Sequence, residues 1–291
     1  MKKILVTGVN SYIGNSFRSY MEAEHTGEFL IDGISCRNGA WKEVDFSGYD
    51  SIFHVAGIAH ADSGKITPER EKQYYEVNCD LAAAVAEKAK REGVRQFIYM
   101  SSSIIYGNPT SLKDRKRIDR NTPPSPAGAY GESKLRGEQA VLPLNDASFR
   151  VVVLRPPMIY GKGSKGNYPV LAKLADKLPL FPKTDNQRSC LYIENLAEFV
   201  YLMIKNDESG IFFPQNREYF NTSELASMIA ETHGKRLLIV PGFQWMLQLL
   251  SHFTPLVLKA FGSIYYDQAL SDYREEYRKY SLKNSVKKAE M

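Results

Sequence analysis

The start of the chain constrains the fold more than any other stretch. Residues 4–7 have the apolar pattern of a buried strand, small residues follow at Gly8, Ser11 and Gly14, and a helical pattern continues to about residue 23. Small residues at such a turn let the backbone approach a pyrophosphate, which the amide groups and the dipole of a helix N-terminus attract. The stretch therefore predicts the first strand, turn and helix of a dinucleotide-binding sheet. The residues predicted to contact the cofactor here are Gly8, Ser11, Tyr12, Ile13 and Gly14.

Later segments continue the alternation of strand and helix. The predicted buried strands span residues 51–57, 96–99 and 151–155, and a predicted long helix spans residues 68–91. This order is typical of an α/β protein with a doubly wound parallel sheet of the Rossmann type. We predict that residues 1–160 form this dinucleotide-binding domain and that some later segments return to it. Residues 161–291 are predicted to form mainly a smaller α/β lobe for the substrate, with C-terminal helices.

The end of the second strand decides which dinucleotide is bound. If the strand ends at Asp32, its carboxylate meets the ribose hydroxyls and NAD is favoured. If the strand continues to Ser35, Arg37 is placed to accept the 2′-phosphate of NADP. The apolar continuation through Ile34 and the long connection at residues 24–28 favour Arg37. The predicted cofactor is NAD or NADP, with NADP(H) preferred.

Composition excludes several classes of protein. The chain has 291 residues, of which 43% are hydrophobic, so it can bury a large core, yet it has no apolar run long enough for a transmembrane helix. Cys36, Cys79 and Cys190 lack the spacing of metal ligands, and no metal is expected. The strand pattern at the N-terminus leaves no room for a signal peptide, so a cytoplasmic protein is expected. The net charge of +5 is not accompanied by an aromatic, basic groove, so no nucleic-acid partner is expected.

Tyr130 and Lys134 lie four residues apart at the start of a predicted helix. At this spacing the two side chains share one helical face. A nearby cation lowers the pKa of a phenol, ordinarily about 10, so Tyr130 could exchange a proton with a substrate hydroxyl. The serine run at residues 101–103 follows a predicted strand and could hydrogen-bond the same substrate oxygen. His54 lies inside a predicted strand and is expected to be packed rather than catalytic.

Together these two runs resemble the extended short-chain dehydrogenase/reductase family of NAD-dependent epimerases and dehydratases. The resemblance rests on the run Ser-Ser-x-x-x-Tyr-Gly, which ends at Gly107, followed by Tyr-x-x-x-Lys. It implies an enzyme that acts on a nucleotide sugar with Ser102, Tyr130 and Lys134 as catalytic residues. Ser102 would orient the substrate oxygen and Tyr130 would exchange its proton. Lys134 would lower the pKa of Tyr130 and bind the nicotinamide ribose. The family's glycine turn has a glycine where this chain has Ser11.

The same resemblance implies further contacts and an oligomeric state. The implied cofactor contacts are Asp45 and Phe46 near the adenine, Ala56 and Gly57 beneath the cofactor, and Pro157, besides Tyr130 and Lys134. The implied substrate contacts are Ser103 and His60, and Asn78 would hold the backbone of the active site. Helices at residues 68–91 and 130–141 commonly form the dimer interface of the family, which implies a homodimer.

Two features of the second lobe suit a diphosphate. The loop at residues 161–169 combines glycines and lysines with a helix start at Asn167, and its alternative is a flexible glycine-rich connection. Arg188 precedes a short predicted strand and can pair bidentately with a phosphate. Asn167 and Arg188 are therefore predicted substrate contacts, and a UDP-sugar is the predicted partner.

The stretch at residues 155–196 resembles one particular group of enzymes within the family. It is similar to bacterial 4-ketoreductases of UDP-linked 6-deoxy-N-acetylhexosamines, which serve capsule and O-antigen synthesis. One alternative is a UDP-hexose or UDP-N-acetylhexosamine 4-epimerase, which is disfavoured by Met158 because many epimerases have Asn there. A second alternative is a catalytically silent regulator that senses dinucleotides. The intact set of Ser102, Tyr130 and Lys134 argues against the regulator.

Residues 243–264 are largely apolar and predict two helices that cover the substrate lobe. Association with a membrane surface is the alternative interpretation of this segment.

Overall fold

A computed structural model of the chain describes residues 1–59 and 66–291. His60, a predicted substrate contact, lies outside the described residues. In chain order, the strands and α-helices are β1 Lys2–Thr7, α1 Tyr12–Glu24, β2 Phe29–Ile34, β3 Ser51–His54, α2 Pro68–Tyr75, α3 Leu81–Arg91, β4 Gln96–Met100, β5 Arg115–Ile118, α4 Ala129–Val141, β6 Arg150–Leu154, β7 Met158–Tyr160, α5 Asn167–Lys177, β8 Leu180–Pro182, β9 Cys190–Tyr192, α6 Ile193–Lys205, β10 Gly210–Phe212, α7 Thr222–Thr232, β11 Leu238–Val240, α8 Gln244–Ser251, α9 Pro255–Phe261, β12 Ser263–Tyr266 and α10 Leu282–Glu290.

The central sheet confirms the predicted α/β class and its Rossmann-type winding. Its parallel strands are ordered β2-β1-β3-β4-β6-β10. The chain leaves β1 toward β2 on one side and returns to β3 on the other, so the winding reverses between β1 and β3. In open α/β sheets a ligand binds at such a reversal, beyond the carboxyl ends of the strands. The turn after β1 and the loop after β3 meet at this point.

The central strands of this sheet are buried, whereas the edge strands β2 and β10 are partly exposed. Every residue of β3 and β4 is buried, as expected for parallel strands with continuous apolar runs. One part of the core contains Leu5, Ile52 and Phe97 of the sheet together with Val85 and Ala89 of α3.

The predicted long helix at residues 68–91 contains a π-helical turn at Glu76–Asp80 between α2 and α3. A π turn inserts one residue into the helical repeat and often marks a functional position. Asn78 lies in this turn and is fully buried.

The chain divides into two compact units. The first contains Met1–Tyr106, Pro124–Arg155 and Leu196–Pro214, and therefore the whole central sheet. The second contains Gly107–Pro123, Pro156–Asn195 and Gln215–Met291. Residues 107–123 belong to the second unit, in which β5 pairs with β12. The strand at 210–212 is a later segment that belongs to the first unit.

The second unit is held together by short parallel strand pairs rather than by one large sheet. Its pairs are β5 with β12, β7 with β9, and β8 with β11. Across the described part of the chain, no helix combines the length and apolar character that crossing a bilayer requires. The same residues contain no cluster of His, Cys, Asp or Glu suited to a metal ion.

Candidate active site

The predicted catalytic residues come together in the first unit. Ser102 lies two residues after the end of β4 and precedes a 3₁₀ turn at Ser103–Tyr106. Tyr130 lies in the first turn of α4, which begins after Gly128, a residue with φ +82°. The hydroxyl of Ser102 hydrogen-bonds the phenol of Tyr130. The backbone amide of Ile104 also donates to Ser102 Oγ, at 3.2 Å, and so fixes the hydroxyl at the end of the strand.

Lys134 lies one turn after Tyr130 and is buried. Its Nζ donates to the carbonyl oxygen of Met100 at 2.8 Å and lies 5.1 Å from the ring centre of Tyr99. Burial lowers the pKa of Lys134 to about 8, and the negative charge of Glu138 partly opposes that shift. At neutral pH the ammonium form still predominates. The site therefore holds a cation beside the end of β4.

Tyr130 has a different pKa from the one the sequence predicted. Burial raises its pKa to about 12, and the neighbouring Tyr74 acts in the same direction. The hydrogen bond from Ser102 lowers it but does not offset burial. The expectation that Lys134 lowers this pKa is not met here, because desolvation of the phenol dominates and the lysine ammonium is directed to Met100. At neutral pH Tyr130 carries its proton and can act as an acid.

Asn78 fixes the backbone around this site, as the family resemblance implied. Its Oδ1 accepts from the amide of Ile58 at 2.9 Å, and its Nδ2 donates to the carbonyl oxygen of Ile58 at 3.1 Å. The same Nδ2 donates to Ser133 Oγ at 3.1 Å. Asn78 therefore ties the loop after β3 to the helix that carries Tyr130 and Lys134. No pattern in the sequence indicated the π turn that places Asn78.

The turn after β1 is shaped to bring backbone close to a ligand. Gly8 has φ +83°, and a Cβ atom there would lie 2.7 Å from the backbone nitrogen of Ala56. A Cβ on Gly14 would lie 3.1 Å from the carbonyl oxygen of Gly8 and 3.3 Å from Val55 Cγ2. The turn thus packs closely against the residues that follow β3, and at Gly8 the contact is between backbone atoms. This close packing at the start of α1 fits the pyrophosphate of a dinucleotide.

Ser11, where the family resemblance implies glycine, has a structural role of its own. It is the N-cap of α1, and its Oγ accepts a hydrogen bond from the amide of Gly14 at 3.0 Å. A serine N-cap stabilises a helix start relative to most other residues. The substitution therefore fixes the first turn of α1, which contains Tyr12 and Ile13, without adding a bulky side chain.

Comparison with known proteins agrees with this geometry. The sequence profile of the NAD dependent epimerase/dehydratase family matches residues 4–213, more than half of the chain. The chain belongs to this family. Among curated proteins, a UDP-glucose 4-epimerase from Vibrio cholerae is 29% identical over 85% of this chain and 81% of its own length.

Solved structures of 17% and 16% sequence identity share the fold. A UDP-glucuronic acid 4-epimerase from Bacillus cereus in complex with NAD has a TM-score of 0.73, covering 98% of this chain and 96% of that one. A dTDP-4-dehydrorhamnose reductase from Bacillus anthracis in complex with NADP has a TM-score of 0.70, covering 99% and 98%. As a member of the epimerase/dehydratase family, the chain is an NAD(P)-dependent enzyme.

Replacing Gly8 of this family member with alanine is expected to destabilise it by about 1–3 kcal/mol and to abolish measurable NADPH binding. The Cβ atom would meet the backbone of Ala56 in a conformation that side chains rarely adopt. Gly27→Ala is the matched control, since Gly27 has φ +79° but no atom within 4 Å of the position that a Cβ would occupy. Thermal unfolding and NADPH fluorescence titration measure both effects. Equal losses in the two variants would contradict the close-approach argument.

The second strand ends beyond Asp32. β2 continues to Ile34, and the carboxylate of Asp32 is already engaged. Tyr49 donates to Asp32 Oδ2 at 2.9 Å, and Lys3 Nζ lies 3.3 Å from the same oxygen. Arg37 is exposed at the start of the following 3₁₀ segment, and among the described residues its guanidinium has no carboxylate partner. This arrangement fits the alternative in which Arg37 faces the phosphate of NADP.

Other predicted positions in the first unit differ in how exposed they are. Asp45 is exposed, and its carboxylate accepts from the amide and the hydroxyl of Ser47 at 2.9 and 3.0 Å. Phe46 is fully buried. His54 is packed, as expected: its Nδ1 lies 2.8 Å from Thr7 Oγ1, and burial lowers its pKa to about 3. A group with that pKa is neutral at physiological pH.

Of the remaining predicted contacts, Gly57 after β3 and Ser103 in the 3₁₀ turn lie in the first unit, and the others lie in the second. Pro157 lies between β6 and β7, and Asn167 is the exposed first residue of α5, preceded by Gly166 with φ +93°. Arg188 donates from Nη1 to the carbonyl oxygen of Gly262 at 2.8 Å. Burial lowers the pKa of Arg188 to about 10, and in the described part of the chain it forms no ion pair with a carboxylate.

Proposed function

We propose that this enzyme is an NADP(H)-dependent reductase of a UDP-linked 4-keto-6-deoxy-N-acetylhexosamine in surface polysaccharide synthesis. The observation that carries the proposal is the protonated Tyr130, hydrogen-bonded to Ser102 and one helical turn from the Lys134 cation. Reduction of a ketone to an alcohol consumes one proton at the oxygen. A phenol with a raised pKa starts in the state that this direction requires.

Each residue then has a defined task. Ser102 donates a hydrogen bond that orients the C4 carbonyl oxygen, and Tyr130 delivers its proton to that oxygen. The Lys134 cation, one helical turn after Tyr130, is assigned to the nicotinamide ribose. Bound nicotinamide supplies the hydride that reaches C4. The products are the C4 alcohol and the oxidised cofactor, so atoms and charge balance.

Arg188 supports a diphosphate-bearing substrate. A buried guanidinium with a lowered pKa gains most from an anion, because pairing offsets its desolvation. A UDP diphosphate offers two adjacent phosphates, and Arg pairs with phosphate bidentately. Asn167, at the start of α5 after a glycine, is the companion contact in this proposal. Ser103 and His60 are assigned to the sugar.

Replacing Arg37 with serine tests the coenzyme preference. Affinity for NADPH is expected to fall about tenfold, and affinity for NADH to change little, because only the 2′-phosphate loses its charge-assisted hydrogen bond. Lys42→Ser is the matched control, an exposed cation in the same 3₁₀ segment. Titration of each variant with both coenzymes gives the ratio of its affinity for NADPH to its affinity for NADH. A ratio unchanged by Arg37→Ser would remove Arg37 from the coenzyme site.

A 4-epimerase is the second candidate, favoured by the name of the Vibrio cholerae relative. It would use the same residues, but with the cofactor reduced and reoxidised during one visit of the substrate. Such an enzyme must first remove a proton from the C4 hydroxyl, so it needs an ionised Tyr130 at the outset.

One assay separates the candidates. Purified protein is mixed with UDP-4-keto-6-deoxy-N-acetylglucosamine and either NADPH or NADH, and the loss of the reduced-nicotinamide absorbance is followed. Stoichiometric loss, faster with NADPH, is expected. Interconversion of UDP-N-acetylglucosamine and its C4 epimer without added coenzyme, and no absorbance loss, would replace the reductase with the epimerase. Coenzyme binding with neither reaction would favour the dinucleotide-sensing regulator.

The proposed enzyme is cytoplasmic, where UDP-sugars and reduced coenzymes are available, and homodimeric through α2, α3 and α4. Light scattering of the purified protein tests the dimer. An Arg136→Glu variant, which changes an exposed residue of α4, should weaken it.

A further inference from the structure

We propose that the second unit docks onto the surface of an anionic phospholipid bilayer through one apolar face. The face is formed by α8, the turn after it and the start of α9, and we call it the α8–α9 face. Its members are Trp245, Leu249, Leu250, Phe253 and Leu256. The inference does not depend on the proposed reaction.

The α8–α9 face is a cluster of large apolar side chains in contact with solvent. Trp245 is 69% exposed and Phe253 is 79% exposed, and the three leucines expose 41–58% of their surface. α8 buries Leu247, whereas Trp245, Leu249 and Leu250 of the same helix are exposed. Trp245 and Leu249 are four residues apart, so they share one face of the helix. Apolar residues that are exposed singly are common, but a cluster of this kind marks an interaction site.

The segment that contains this face carries charged residues of one sign only. From Thr232 to Tyr266 the chain contains no Asp or Glu, although it has 33 acidic residues in total. The same segment contains Lys235, Arg236 and Lys259. Lys235 forms an ion pair with Asp176 of α5 at 2.5 Å. Arg236 and Lys259 have no carboxylate partner within the residues that the structure describes.

A basic rim on an apolar face fits an anionic bilayer better than a second copy of the chain. Lys259 lies three residues after Leu256 on α9, so its cation stands next to the apolar surface. A two-fold contact between copies would bring the same basic residues of both chains together. Anionic headgroups would neutralise them, while Trp and Phe enter the boundary between headgroups and acyl chains.

The lengths of the helices fit binding in the plane of the surface. α8 has 8 residues and α9 has 7, far fewer than the roughly 20 that span a hydrocarbon core. Thr254 caps α9 by accepting from the amide of Leu256 at 3.3 Å, so the two helices are separate, ordered elements. Association with a membrane surface was the alternative interpretation of residues 243–264 from their sequence. The structure now gives this interpretation a defined set of contact residues.

Sedimentation with vesicles tests the proposal. The full chain is mixed with vesicles of phosphatidylcholine and phosphatidylglycerol, and with vesicles of phosphatidylcholine alone. The protein is expected to sediment with the anionic vesicles and to dissociate as salt increases. Trp245→Ser with Phe253→Ser should weaken binding by about tenfold or more. The control replaces Leu30 and Ile211, exposed apolar residues of the first unit, with serine and should bind as the unchanged chain does.

Charge reversal at Arg236→Glu and Lys259→Glu should reduce binding to the anionic vesicles, and thermal unfolding confirms that each variant is folded. Equal binding to both vesicle types would overturn the role of the basic residues Arg236 and Lys259. No binding, with self-association that Trp245→Ser and Phe253→Ser abolish in light scattering, would overturn the bilayer in favour of a second copy. Turnover of the soluble UDP-sugar is measured separately, so failure here leaves the proposed reaction intact.

Discussion

Exchanging Tyr130 for Phe is expected to lower kcat by about 10²–10⁴ and to leave NADPH affinity within about threefold of the unchanged enzyme. The substitution removes one oxygen and the proton that it carries. Burial raises the pKa of this phenol to about 12, so the phenol carries its proton at neutral pH. Its loss leaves the C4 oxygen with water as the proton donor.

Tyr75→Phe is the matched control for this experiment. Tyr75 is the last residue of α2 and donates to Glu132 of α4 at 2.9 Å, so its replacement also removes a phenol oxygen next to the catalytic helix. Its kcat should stay close to that of the unchanged enzyme. Single-turnover kinetics with preformed coenzyme complex separate binding from chemistry. A Tyr130→Phe enzyme that keeps its full kcat would show that another group donates the proton.

Local patterns of apolar residues were sufficient to predict those strands and helices whose pattern lies within a single segment of the chain. Continuous apolar runs between helical patterns predicted β1, β3, β4 and β6, since strands covered on both faces need such runs. The alternation predicted a parallel sheet. β10 has only three residues, Gly210–Phe212, so its apolar run is too short to predict a strand. Its place beside β6 depends on the return of the chain through α6.

Some features of the candidate site could likewise be predicted from the sequence, and others could not. The positions of Ser102 after β4 and of Tyr130 and Lys134 in α4 were predictable from the sequence pattern, whereas their catalytic roles came from the family resemblance and stay predictions. The pKa of Tyr130 was not predictable, because it depends on burial and on Tyr74, which a different helix supplies. The π turn at Asn78 could not be predicted, because its residues have the composition of an ordinary α-helix. The exposure of the α8–α9 face could not be predicted either. An apolar sequence segment has the same pattern whether its side chains are buried against the protein or exposed to solvent.

Arg155→Met is expected to destabilise the first unit by about 3–5 kcal/mol, because it leaves a buried carboxylate without its cation. Arg155 and Glu138 form a bidentate pair, with Nη2 2.5 Å from Oε2 and Nε 3.0 Å from Oε1. Glu138 is 1% exposed, and Ser101 donates to it as well. Arg155 Nη1 also donates to the hydroxyl of Tyr106 at 2.7 Å. The group ties α4 to the ends of β4 and β6. Urea unfolding followed by circular dichroism measures the loss.

Two further variants decide whether the cost comes from the unpaired charge. Arg155→Met combined with Glu138→Leu should recover most of the stability, since removing both charges leaves no buried ion to desolvate. Arg117→Met, which breaks an exposed pair with Asp267, should leave the unfolding midpoint nearly unchanged. If Arg155→Met also behaves like Arg117→Met, removing the cation beside the buried Glu138 carboxylate has no cost, and this pair does not stabilise the contact of α4 with the ends of β4 and β6.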